Sequence, residues 1–190
     1  MLVTFCSDPL RRANPDPDYA HEYEAAREVG FDPVLLNFEA LVDDGDAEVA
    51  IGRIATRSAP DLALYRGWML RPSVYGRLYE ALERRGARLI NTPAQYKSCH
   101  YLPESYQYIE GQTPQTVWAP LHGAIDSVAI MRLLEPFGDA PLIVKDYVKS
   151  RKHEWDEACY IPSAADEQTV MRVVNRFVQL QGPDLNEGLV

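Results

Sequence analysis

Lysine is scarce in this chain of 190 residues: Lys97, Lys145, Lys149 and Lys152 are all it has, and the rest of its 19 basic residues are arginine. Positive charge as a whole is short, with 28 Asp and Glu giving a formal net charge of -9. A field of that sign repels polyanions, so broad nucleic-acid or anionic-membrane binding is excluded, and any anionic partner must be small and held locally. Cysteine is also rare. Cys6, Cys99 and Cys159 are odd in number, far apart, and without CxxC or Cys/His spacing, so they read as buried reduced thiols and not as a metal site. No stretch approaches the ~18 apolar residues of a membrane span, and the apolar run at residues 2–6 is too short for a signal sequence. These absences predict a soluble, cytoplasmic protein. Neither GxGxxG nor GxxxxGK[ST] occurs, which removes the Rossmann dinucleotide fingerprint and the Walker A loop.

What is present, with 46% hydrophobic residues, is enough to bury an ordinary core. Residues 2–6, 33–37, 62–68 and 88–91 read as short apolar strands. Between them, Asp16-Pro17 opens a helix with Tyr19, Tyr23 and Ala26 on one face and Gly30 at its stop. Pro72 opens another, with Val74, Leu78 and Leu82 facing inward and Gly86 beyond its end. Residues 48–54 alternate loosely and read as a strand or edge ribbon, and Asp43-Asp44-Gly45-Asp46 as a solvated acidic turn. Strand and helix in alternation predict an α/β layer with a mostly parallel sheet over the first half of the chain.

The second half has a different character. Thr92-Pro93 caps a helix carrying Lys97 that Pro103 interrupts, residues 114–120 are extended, residues 125–134 suit a helix, and Ser163 to Asp166 resembles a capping box for a helix with Val170, Val173, Val174 and Phe177 inside. Between these last two helices lies PLIVKDYVKSRKHEWDEACYIP, residues 141–162, which holds three of the four lysines. Alternation sets Ile143, Lys145, Tyr147 and Lys149 on one face and Leu142, Val144, Asp146 and Val148 on the other. With a turn at residues 150–153 and a second run at 155–161, the segment reads as a basic β-hairpin, a candidate anion clamp.

This succession resembles the front part of an ATP-grasp enzyme, in the clade defined by one signature arginine and two signature lysines. The resemblance is carried by residues 62–91, by NTPAQYKSCHYLPESY around Lys97, by PLIVKDYVKS around Lys145, and by the terminal NEGLV. It implies a pre-ATP-grasp α/β domain at residues 1–91. The first, incomplete half of an α+β ATP-grasp domain would follow at 92–190, with the basic hairpin as its lid. It also implies ATP and Mg2+ as cofactors, and a ligase joining a small-molecule carboxylate to an amine or peptide through an acyl phosphate. Matched by position, Lys97 and Lys145 resemble the family's two phosphate lysines, with Lys149 further along the lid. The signature arginine and the metal ligands of the second half would lie beyond Val190, so the chain is expected to be a fragment of a longer enzyme.

Each of these residues has a plainer reading beside the functional one. A β-hairpin rich in lysine also discourages edge-to-edge pairing, and Lys97 on a helix can simply be solvated. Arg66 and Arg71 flank the end of the strand at residues 62–68, where α/β sheets bind small molecules, and are candidates for the acceptor carboxylate or for ion pairs with the many acids. Asp146 reads as a structural partner. Trp155 reads as a packing residue or as part of the nucleotide cleft. His21, His100, His122 and His153 show no metal-ligand spacing. The alternative function is a non-catalytic α/β ligand-sensing or protein-interaction module.

Overall fold

A computed structural model describes all residues, Met1–Val190. The chain divides into two compact units, Met1–Lys97 and Ser98–Val190.

The first unit is built on four short parallel strands. β1 (Leu2–Cys6) is buried throughout. Asp16 accepts from the Asp18 N–H at the start of a single 3-10 turn, which runs into α1 (Ala20–Glu28). Gly30, at φ +83°, reverses the chain into β2 (Asp32–Leu36). The Asn37 and Asp46 side chains then cap two short helices, α2 (Phe38–Val42) and α3 (Ala47–Ala50). β3 (Asp61–Arg66), α4 (Pro72–Arg84) and β4 (Ala87–Leu89) complete the layer. The strand order is β2-β1-β3-β4, every pair parallel, so β1 lies between β2 and β3.

Alternation along β1 decides what each face of the sheet packs against. Val3 and Phe5 join Tyr19 and Ala26 on the α1 side, and Leu2 and Cys6 join a larger core with Leu41, Ile51, Leu78 and Leu82 on the other. Residues 48–54 are therefore not a strand. Ala47, Ala50, Ile51 and Ile54 are all buried, a helical spacing of three, four and seven, and the Asp46 carboxylate accepts from the Val49 N–H at 3.0 Å.

α5 (Pro93–His100) begins with a reciprocal box: the Thr92 hydroxyl accepts from Gln95 N–H, and the Gln95 side chain accepts from Thr92 N–H at 2.9 Å. The second unit continues with α6 (Leu102–Ile109), in whose first turn Pro103 sits, β5 (Ala119–Pro120), α7 (Ser127–Leu134), β6 (Leu142–Ile143), α8 (Trp155–Ala158), β7 (Tyr160–Ile161), α9 (Glu167–Gln181) and β8 (Gly188–Leu189). Asp166 itself caps α9, accepting from the Thr169 N–H and hydroxyl, so the helix starts one turn later than a box on Ser163 predicts. Val170, Val173, Val174 and Phe177 form this unit's core with Ile130, Val144, Ile161 and Leu189. Cys6 and Cys159 are buried, and burial pushes both thiols up. Cys99 is exposed, contrary to the expectation for all three. No helix is long and apolar enough to cross a membrane.

Candidate functional site

The basic segment is not a plain hairpin. Its strands pair over two residues each, Leu142 with Ile161 and Ile143 with Tyr160. The ladder is extended by Val144 N–H donating to Cys159 C=O at 2.8 Å. The chain then changes partner. Lys145 exchanges both backbone hydrogen bonds with Val190, at 3.1 and 2.8 Å, and forms an isolated bridge with Ser150. Asp146 N–H donates to Lys149 C=O, so a turn at residues 146–149 ends the alternation. The face predicted to combine Lys145, Tyr147 and Lys149 is consequently not formed. Tyr147 is buried edge-on against Tyr101, while Lys149 is exposed. Beyond it the chain makes a 3-10 turn at Lys152–Glu154 and then α8, where a second strand was expected to begin.

Asp146 organises this turn. Its side chain is fully buried, and its carboxylate accepts five hydrogen bonds: Val148 N–H at 2.7 Å, Lys149 N–H at 2.5 Å, Gln181 Nε2 at 2.8 Å, and the N–H and Nδ2 of Asn186 at 3.2 and 3.0 Å. One anion thus ties the lysine strand to the end of α9 and to the approach to β8. The Asp-x-x-Lys turn was legible as a local side-chain-to-backbone motif. Its distant partners Gln181 and Asn186 were not.

Beside this strand lies a cavity of about 430 Å³. Its walls come from Val117, from Ile130, Leu133, Leu134 and Phe137, and from Leu142, Ile143, Val144, Trp155, Tyr160, Ile161, Leu189 and Val190. Thr113, Gln115 and Thr116 contribute polar groups, and Lys145 is the only charged lining residue. Sequence reasoning missed this apolar wall. The spacing of Ile130, Leu133, Leu134 and Phe137 by three, four and seven marks a helical stripe, but only the fold shows that it faces open space. Burial lowers the Lys145 pKa from its ordinary value, and the neighbouring Asp146 carboxylate partly opposes that shift.

The other anticipated residues have different settings. Lys149 lies outside the cavity lining, on the turn. Lys97 is half-buried on α5, in the first unit. Arg66, at the end of β3, is held by Glu22 through two contacts of 2.5 and 2.6 Å and lies over the Tyr19 ring at 5.1 Å. Arg71 is exposed at the start of α4. No group of three or more His, Cys, Asp or Glu side chains is arranged to hold a metal ion.

Residues 136–190 match the model of an ATP-grasp domain, family 3 of the clade named for one arginine and two lysines. Among solved structures, the crystal structure of D-cycloserine synthetase DcsG is similar with a TM-score of 0.55 at 16% identity, covering 100% of this chain and 57% of that one. The chain belongs to the ATP-grasp superfamily. Its matched ATP-grasp segment contains the cavity-lining strands, Lys145, the Asp146 turn and Trp155, and so includes the cavity's only charged wall. The chain spans little more than half the length of the ATP-grasp neighbour. No curated protein matches by sequence.

Proposed function

We propose that this chain is the nucleotide-binding portion of an ATP-dependent ligase that joins a small-molecule carboxylate to an amine or peptide. In this reading residues 1–91 are the pre-ATP-grasp domain and 92–190 the first half of the ATP-grasp domain. The observation that carries it is one ammonium, Lys145, on the margin of an otherwise uncharged, largely apolar cavity. A ligand matching such a site has a flat apolar end and an anionic end, and the volume lies within the ~300–1,000 Å³ range of small-molecule pockets.

Lys145 would neutralise phosphate oxygens, and its strand, bonded to Val190 and bridged to Ser150, holds it in place. A unit charge pair at ~4 Å is worth ~1 kcal/mol in water and ~4 kcal/mol at an effective dielectric of ~20, so a half-buried lysine does more than an exposed one. Lys149, on the turn, would close over the same phosphates, and Lys97 would supply the second family lysine. Arg66 and Arg71 would receive the acceptor carboxylate, Arg66 by exchanging Glu22 for substrate. The bound nucleotide supplies a γ-phosphoryl group to the carboxylate, releasing ADP, and the amine then displaces phosphate from the acyl phosphate. These residues offer no preformed cluster of acids for magnesium. Mg2+ would arrive on the nucleotide's phosphates, and no step is assigned to it. A cytoplasmic setting, where ATP is abundant, goes with this reading.

Calorimetric titration with MgATP and MgADP tests the proposal. Wild type should bind both, and Lys145→Ala should bind about tenfold more weakly or worse. Absence of nucleotide binding by the wild-type chain refutes it.

A further inference from the structure

We infer that Trp155, backed by Tyr160, is the surface on which the flat base of the nucleotide stacks. The inference rests on the nucleotide reading of the cavity and adds to it the residue that recognises the base. Both rings line the cavity, with centroids 5.3 Å apart and planes 10° from parallel. Trp155 is the outer member and remains 45% exposed, an uncommon setting for a large apolar side chain next to an apolar space. Tyr160 covers one face of the indole, which leaves the opposite face for another flat ring.

The platform is also anchored. Tyr160 sits in β7, paired with Ile143, and behind Trp155 the chain passes directly into Ala158 and Cys159, at 0% and 1% exposure. Cys159 donates its N–H to Trp155 C=O and accepts from the strand that carries Lys145. One short ladder therefore positions both the aromatic surface and the ammonium. Stacking tolerates any base, since each has a π-face, and this platform selects for a flat ring over none and not for one base over another.

Binding of MgATP and of magnesium tripolyphosphate, which keeps the anionic end and lacks the base, should be measured by calorimetry on the whole chain, for wild type, Trp155→Leu and Trp155→Phe. Trp155→Leu should weaken MgATP about tenfold or more and leave tripolyphosphate unchanged, while Trp155→Phe retains most of the ATP affinity. MgATP should also quench wild-type tryptophan fluorescence, and Trp155→Phe should abolish that quenching. If Trp155→Leu binds MgATP like wild type, or loses both ligands equally, the stacking role is wrong although the nucleotide site stands. If wild type binds neither ligand, the nucleotide reading itself fails, and the stacking role with it.

Discussion

Replacing Asp146 by alanine removes the acceptor of five hydrogen bonds in a side chain that is fully buried. Not all five donors stay dry. Lys149 is exposed and Asn186 half-exposed, so their groups can regain water, while the Val148 N–H and the buried Gln181 amide are the ones left without a partner. Two orphaned buried donors at ~1–3 kcal/mol each give ~2–6 kcal/mol. Removing a buried anion relieves part of its own desolvation penalty, which places the expected net loss near ~3 kcal/mol. In a unit of this size ~1 kcal/mol moves the melting temperature by ~4–8 °C, so a fall of at least ~12 °C is expected in the transition of the Ser98–Val190 unit. Asp146→Asn keeps one acceptor oxygen and should lose about half as much. Scanning calorimetry, with a urea titration beside it, measures both. A fall below ~4 °C for Asp146→Ala, about what ~1 kcal/mol would give, would show that the carboxylate does not tie these elements together.

Lys145→Met should be more stable than wild type at neutral pH, because burial disfavours the charged lysine. The folded pKa lies below the ordinary 10.5, so the cost of charge is complete below that folded value, shrinks as pH rises through it, and is gone above 10.5. Urea midpoints from pH 7 to 11 should therefore converge, and a gap independent of pH would contradict the assignment. Gly188→Ala should destabilise the β5–β8 pair by ~2 kcal/mol or more, since an added Cβ would lie 2.7 Å from the Tyr147 ring and collide with the Ala119 carbonyl oxygen. Wild-type thermal stability in that variant would mean the pair is looser than described.

Local signals in the sequence carried much of the fold. The Asp16 cap, the Thr92–Gln95 box, Pro72 at a helix start and the apolar runs of the first unit each depend on neighbours a few residues away, and each appears where its chemistry places it. Residues 48–54 were misread because Val49 and Ile51 suggested alternation, whereas the Asp46 cap and the spacing of Ala47, Ala50, Ile51 and Ile54 are helical. The lysine segment was misread for a related reason. Alternation holds only until the Asp146 carboxylate bends the chain, and the groups that hold that carboxylate lie 35 and 40 residues away. The cavity was illegible altogether, since its walls come from four separate stretches and no one of them looks unusual alone.

The position of β1 bears on how this chain is made. The strand LVTFC is synthesised before both of its neighbours, has no charge and no proline, and ends in the middle of a four-stranded sheet. Its second neighbour pairs Leu2 with Ala63, about sixty residues later. At synthesis rates of ~5–20 residues per second, that is roughly 3–12 s in which an apolar strand waits with one edge open. The most buried strand of the finished protein is thus the nascent chain's main aggregation hazard, and the segment a holdase chaperone has most reason to cover until β3 is synthesised.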